Sequence, residues 1–242
     1  MIDFYNKEYT YLSSDNNYVK RKFRDGNIFY DEYNLIFYEM WENSDYDSNG
    51  CIYQRYGCKI EKDDIVLDIG ANIGLFTNRA IHDGASKVIS IEPSKLSFRC
   101  LIDNTPDNVN LYKFAISDKT GYEILQTPSI NNLGCASIFV TEGYQSYSYE
   151  KIYTTTIDDL YNNGILEKID FIKIDTEGSE IKILKGMSND TLNKMGVKKI
   201  SIEFHDIHDN LLMDEILKRF VELGFKYFVL YCQTNKIINL YK

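Results

Sequence analysis

From residue 65 onward, apolar residues fall into short runs that alternate with amphipathic stretches. Ile65–Leu67 is one such run, ended by Asp68, and a helix from Leu75 to about Ile81 follows a glycine turn. Lys87–Ile91 (KVISI) predicts a second strand, closed by Glu92-Pro93. Ser94 is a good N-cap for a helix with Phe98, Leu101 and Ile102 on one face. Asn110–Ala115 predicts a third strand, Asp170–Ile174 (DFIKI) a fourth and Lys199–Phe204 (KISIEF) a fifth, with a helix around Glu180–Lys185. Strand–helix units this short predict a parallel sheet covered on both faces.

Residues 119–156 break that rhythm. Tyr122–Gln126 and Ala136–Val140 predict antiparallel strands around TPSINNLGC, and YTTTIDDLY a strand end passing to a helix capped by Thr156. Asp209 is placed to cap a helix carrying Leu212, Ile216, Phe220 and Leu223, stopped by Gly224. Tyr227–Tyr231 and Lys236–Leu240 predict a closing hairpin. Residues 1–58 read as an N-terminal cap with a helix near Glu32–Glu42, and residues 59–242 as the main domain. The fold class expected is α/β: a doubly wound, mostly parallel sheet with an inserted β-hairpin and an antiparallel C-terminal hairpin.

Composition narrows the function. A chain of 242 residues suits one domain, and 36 acids against 27 bases give a net charge of -9, which argues against a nucleic-acid surface. The basic stretch Lys20-Arg21-Lys22 with Arg24 reads as a solvated segment. The opening MIDFYNKEYT lacks the pattern of a signal peptide, and no apolar run approaches the ~18 residues of a membrane span. Five cysteines (Cys51, Cys58, Cys100, Cys135, Cys232) with no CxxC pair suit reduced thiols and a cytoplasmic location. The 20 tyrosines are dense in the N-terminal third, where packing of the cap accounts for them.

The chemistry is written in IVLDIGANIGLF, residues 65–76. In open parallel sheets, ligands sit beyond the carboxyl ends of the strands, near the reversal of strand order. Gly70 and Gly74 let backbone approach a ligand there, and Glu92, 24 positions after Asp68, can take both hydroxyls of a ribose. The dinucleotide pattern GxGxxG is absent, because the spacing is GxxxG, and no GK[ST] follows for a P-loop. An acid at Asp68 would repel a pyrophosphate but suits an ammonium. A carboxylate, an ammonium and a ribose together describe S-adenosylmethionine.

VLDIGANIGLF, ISIEPS, FAISDKTG, DFIKIDTEGSEIKILKG and ISIEFH together resemble the FkbM-type methyltransferase family, over roughly residues 50–205. IDTEGSEIKILKG is the most specific element. The resemblance implies a class I methyltransferase fold, S-adenosylmethionine as donor and a hydroxyl acceptor, often on a sugar or small molecule. It implies Gly70, Asn72 and Gly74 at the methionine portion, Asp68 at its ammonium, Glu92 at the ribose and Ser117-Asp118 at the adenine edge. Ser137 is the natural match to a serine-rich turn of the family.

Methyl transfer needs in-line approach and a place for one proton, because the thioether leaves neutral. Asp175, Glu177 and Glu180 cluster after the fourth strand. For Glu177 and Glu180, a favourable place at a helix N-terminus is the competing explanation. Glu203 and His205 end the fifth strand and, two apart, point the same way. Asp175, His205 and Glu177 are the catalytic candidates, with Glu203, Glu180 and Ser137 on the acceptor side. Asp175, Glu203 and His205 also suit a divalent metal, but no metal is assigned, and direct proton transfer to His205 or Asp175 is expected. The acceptor expected is a sugar, glycan or small molecule, with neither nucleic acid nor membrane as partner. An RNA ribose 2′-O-methyltransferase and a non-catalytic nucleotide-binding module are the rival readings.

Overall fold

The structure is a computed structural model that describes residues 9–14, 19–23, 28–31, 51–128, 136–138, 147–205, 210–232 and 235–242. The helix expected near Glu32–Glu42 and the cap at Asp209 lie outside those residues. Within residues 1–58 the described elements are instead three strands, β1 (Tyr9–Ser14), β2 (Val19–Phe23) and β3 (Ile28–Asp31), paired antiparallel in sequence order.

The central sheet has seven strands. In chain order they are β4 (Ile65–Ile69), β5 (Lys87–Ile91), β6 (Asn110–Tyr112), β10 (Phe171–Ile174), β11 (Lys199–His205), β12 (Lys226–Cys232) and β13 (Asn235–Tyr241). Their spatial order is β12-β13-β11-β10-β4-β5-β6, with β13 antiparallel to β11 and to β12 and the other pairs parallel. This is the doubly wound sheet with an antiparallel hairpin of the class I methyltransferase fold. From β4 the chain moves outward through β5 and β6, then returns to lay β10 against the other side of β4. The crevice between β4 and β10 is therefore the topological switch point.

Alternate residues of the strands feed two apolar layers. Leu67, Ile69, Ile89, Ile91, Ile172, Ile174, Ile200 and Ile202 face one way. There they meet Leu160 of α3 (Ile157–Asn162), Ile183 of α4 (Glu180–Lys185), Leu192 of α5 (Asn189–Met195) and Phe220 of α6 (Asn210–Glu222). Val66, Val88 and Phe171 face the other way. They pack under α1 (Leu75–His82), α2 (Lys95–Asn104) and the segment from Cys51 to Ile60. α2 starts as expected, with the Ser94 hydroxyl accepting from the Ser97 N–H.

In the insert, β8 (Gly121–Pro128) pairs along its length with β9 (Tyr147–Thr155), a partner not foreseen; of the expected strand Ala136–Val140, Ser137 makes one antiparallel bridge to Gln126, and residues 139 and 140 lie outside the described residues. β9, YSYEKIYTT, supplies nine residues and so sustains a longer ladder than the described ASI. The third predicted strand also divides: β6 stops at Tyr112, and β7 (Ala115–Ile116) leaves the main sheet to pair with β9. α5, capped by the Ser188 hydroxyl, was not foreseen.

Candidate active site

Register builds the site. Ser90, Asp68, Lys173, Ser201 and Asn239 are direct neighbours on successive strands, so they form one polar row across the buried α1 face of the sheet. One step of two residues further along each parallel strand lies the rim: Glu92, Gly70, Asp175 and Glu203. The row is the floor of the switch-point crevice and the rim is its mouth.

Asp68 is wholly buried in that floor. Its Oδ2 accepts from the Thr77 hydroxyl at 2.7 Å, and its Oδ1 lies 3.3 Å from the Lys173 ammonium. Burial raises its pKa, with Lys173 acting the other way. Asp68, expected at a ligand's ammonium, thus sits in the floor beneath the rim. Lys173 bridges the two halves of the sheet. Its Nζ donates to the Gly70 carbonyl at 2.7 Å and lies 3.3 Å from both Asp68 and Asp175. Burial alone would lower its pKa, but the two aspartates outweigh burial and hold it above the ordinary lysine value.

The turn after β4 is left-handed at Gly70 (φ 76°), Asn72 (φ 49°) and Gly74 (φ 92°). A Cβ on Gly70 would stand 1.7 Å from the Asp175 carbonyl oxygen, so this glycine is required where the two strand ends meet. Gly74 caps α1 and packs on Leu101 and Thr105 of α2, away from the cavity. Glu92 takes the Asn72 N–H on Oε2 at 2.9 Å and the Ser94 N–H on Oε1 at 2.8 Å. Burial pushes its carboxyl up to about 7, against the two backbone donors and Lys173 and with the charge of Asp68.

A cavity opens over this rim. Gly70, Asn72, Glu92, Asp175, Glu177 and Ser179 supply its polar wall. Phe114, Ala115, Ile116, Leu125, Ala136 and Ile138 supply the apolar one. Ser117 and Asp118, expected at the adenine edge, directly follow β7 and pack on Gly186, where a Cβ would stand 2.1 Å from the Ser117 carbonyl; Phe114–Ile116 line the cavity beside them.

Asp175 Oδ2 accepts from the Tyr53 hydroxyl at 3.0 Å, and the same hydroxyl lies 2.5 Å from Glu203 Oε2. Asn235 donates to the other Glu203 oxygen at 2.9 Å. Burial, then the charge of Asp175, raise the Glu203 pKa. Glu180 has no exposed surface. Its Oε1 accepts from the Thr176 N–H, the Thr176 hydroxyl and the Gly178 N–H, so it holds the turn before α4 together. His205 lies between Glu177 Oε2, 3.2 Å from its Nε2, and Glu180 Oε1, 3.1 Å from its Nδ1. Burial would lower the imidazole pKa, but the two carboxylates lift it to about 12. Both ring nitrogens of His205, expected from sequence as a base, thus face carboxylates that fix the ring's orientation. Glu177 itself sits at φ 52°, and its carbonyl accepts from the Ser137 hydroxyl at 2.5 Å, which staples the insert to the turn.

Thus Gly70, Asn72, Glu92, Asp175 and Glu177 line one cavity, with Glu180, His205, Glu203 and Ser137 bonded behind or beside it. Two contributors were not foreseen. Lys173 carried a signal, since a lysine inside FIKI on a doubly covered strand must find a buried partner. Tyr53 carried none that set it apart from the other tyrosines.

A family model described as the methyltransferase FkbM domain matches residues 68–227. The hexuronic acid methyltransferase AglP of Haloferax volcanii is 29% identical over 154 residues, 62% of this chain and 61% of AglP. The antimetabolite synthetase AmbE of Pseudomonas aeruginosa is 27% identical over 195 residues, 65% of this chain and 9% of AmbE. The chain thus spans about three fifths of the first of these relatives and a small part of the second. Solved structures with a similar course include M. jannaschii TYW2 in complex with AdoMet (14% identity, TM-score 0.49, 95% of this chain and 87% of that one). Another is fibrillarin of Aeropyrum pernix with S-adenosyl-L-methionine (10% identity, TM-score 0.47, 96% and 99%).

Proposed function

The chain belongs to the FkbM methyltransferase family, and we propose that it moves the methyl group of S-adenosylmethionine to a hydroxyl oxygen of a sugar, glycan or small molecule. One observation carries this reading: a single cavity at the switch point has Glu92 on one side and Asp175 and Glu177 on the other. Glu92 takes the ribose hydroxyls, Gly70 and Asn72 meet the methionine portion, and Phe114–Ile116 with Pro93 flank the adenine. Asp68 and Gly74 act one layer below, through the shape of the turn. The methyl group then points toward Asp175 and Glu177, where the acceptor hydroxyl must give up its proton. Orienting that hydroxyl in line with the methyl–sulfur bond can supply roughly 7–11 kcal/mol of the barrier in good cases.

The sugar acceptor is supported by AglP, described as a hexuronic acid methyltransferase. The excess of acids over bases in the sequence weighs against an RNA acceptor. Among the described residues, no helix is long and apolar enough to cross a membrane. The free buried thiols Cys51 and Cys58 support a reducing compartment such as the cytoplasm. Residues 1–58 are the cap of a methyltransferase domain comprising residues 59–242.

The test is methyl transfer from labelled donor to a panel of nucleotide sugars, glycans and capped RNA. Transfer to a saccharide hydroxyl is expected, with Asp175→Asn losing about 10²–10⁴-fold in rate while keeping its affinity for S-adenosylhomocysteine. Transfer to RNA alone would support the first rival. Tight donor binding without turnover on any acceptor would support a binding module.

A further inference from the structure

We propose that Asp175, Glu177 and His205 form a divalent-cation site, beside the methyl donor, that takes the acceptor's hydroxyl oxygen. The proposal deepens the reading above and rests on it for the identity of the acceptor only. Two carboxylates and one imidazole present ligand atoms all within 4.8 Å of one another. Two of the three, Asp175 and Glu177, also line the cavity, so a cation held here would keep open positions toward the substrate.

The imidazole is aimed from behind. Its Nδ1 is bonded to Glu180, a carboxylate with no exposed surface that is itself fixed by Thr176 and Gly178. That leaves Nε2 directed at Glu177. A carboxylate on the far nitrogen is the usual support of a metal-binding histidine. Asp175 is supported in the same way, by the Tyr53 hydroxyl and the Lys173 ammonium on its Oδ2. Two of the three ligands, His205 and Asp175, therefore have a second group that sets their direction.

Charge gives an independent argument. Asp68, Asp175, Glu177, Glu180 and Glu203 share this region with Lys173 and His205 as the cations bonded to them. Carboxylate groups thus outnumber cationic side chains around the three ligands, an arrangement to which a dication is complementary. Glu203, expected among the ligands from sequence, is engaged by Tyr53 and Asn235, and Glu177 takes its place. Mixed oxygen and nitrogen ligands of this kind suit a first-row transition dication such as manganese better than magnesium or calcium, which prefer oxygen alone.

The cation would lower the pKa of a bound hydroxyl. The hydroxyl proton passes to solvent, and the oxygen lone pair forms the new bond to the methyl carbon. The carbon–sulfur bond breaks, and its electron pair stays on the neutral thioether. No oxidant, reductant or further reactant is needed.

Manganese is the probe. Metal-free protein is titrated with Mn²⁺ and followed by the loss of the free-ion electron paramagnetic resonance signal, with neither donor nor acceptor present. One bound equivalent is expected, weakened at least about tenfold in Glu177→Gln and in Asp175→Asn. On the wild-type protein, pulsed measurements should find one imidazole nitrogen coupled to the bound ion, so the result stands even if a variant fails to fold. No bound equivalent, no nitrogen coupling, or equal affinity in folded variants would overturn the proposal. Manganese binding in a protein that does not bind S-adenosylhomocysteine would leave this site standing and remove the reading of the donor pocket.

Discussion

Glu92 offers the sharpest test of the donor pocket, because its carboxyl is buried at 6% exposure and pushed up to about 7. Burial is the main cause. The N–H groups of Ser94 and Asn72 and the Lys173 ammonium act against it, and Asp68 adds to it. The gap from 4.5 to about 7 corresponds to about 3 kcal/mol between the two protonation states. A raised carboxyl pKa favours the folded state at low pH, so this contribution is complete below about 4.5 and is lost as pH rises through about 7. Ribose hydroxyls donating to both oxygens would stabilise the ionised form and draw its pKa back toward the ordinary range.

Donor binding should therefore release a proton. Between pH 5.5 and 7 the Kd for S-adenosylhomocysteine should fall by up to about tenfold per pH unit, then flatten above about pH 7.5. Calorimetry at pH 6 in two buffers of unlike ionisation enthalpy should count close to one proton released, and at pH 8 nearly none. Glu92→Gln removes the titration and one backbone bond. Its affinity should be weaker by about 1.5–3 kcal/mol at pH 8, the range of a charge-assisted hydrogen bond, and nearly independent of pH. A wild-type Kd equal at pH 5.5 and 7.5, or a proton still released by Glu92→Gln, would refute the placement of the ribose at this carboxylate.

Three further perturbations probe the floor and its neighbours. Gly70→Ala puts a Cβ against the Asp175 carbonyl at a positive φ, so chemical denaturation should show a loss above about 2 kcal/mol; a wild-type midpoint would contradict the strand-end contact. Lys173→Met leaves Asp68 and Asp175 facing each other without a cation and should cost about 3–5 kcal/mol. Asp68→Asn added to it should recover part of that loss in the same denaturation assay. Tyr53→Phe removes the hydroxyl between Asp175 and Glu203 and should lower kcat about tenfold or more while donor affinity stays within about threefold; equal losses in both would mean that Tyr53 acts through folding alone.

Hydrophobic pattern made the strands of the main sheet legible because each is short, apolar and closed by a polar or glycine signal. It placed Asp68, Glu92, Asp175 and Glu203 at strand ends, and the structure adds which layer each occupies. That distinction was not readable, since Asp68 in the floor and Asp175 at the mouth each follow an apolar run. Register separates them: Lys173 aligns with Asp68, and Asp175 follows two residues later. The insert was legible only in part, for a different reason. ASI reads as a strand and makes one bridge to β8, but the full ladder along β8 comes from Tyr147–Thr155. The choice depends on pairing partners more than twenty residues away, which local propensity does not record.

The chemistry of the crevice follows from the same layering. A lysine two residues before Asp175 anchors the carbonyl of Gly70 as well as both aspartates, so one side chain fixes the backbone on each side of the switch point. Tyr53 approaches Asp175 from a segment that precedes β4, so the mouth is held from the sheet and from outside it. Glu180 fixes the turn that carries Glu177, and Ser137 fixes the same turn from the insert. The two acids proposed to face the acceptor, Asp175 and Glu177, are thus held by four separate parts of the chain. Positioned groups of this kind can orient a reaction without moving when substrate binds. Rate losses on removing Tyr53 or Ser137 should accordingly appear in kcat rather than in donor affinity.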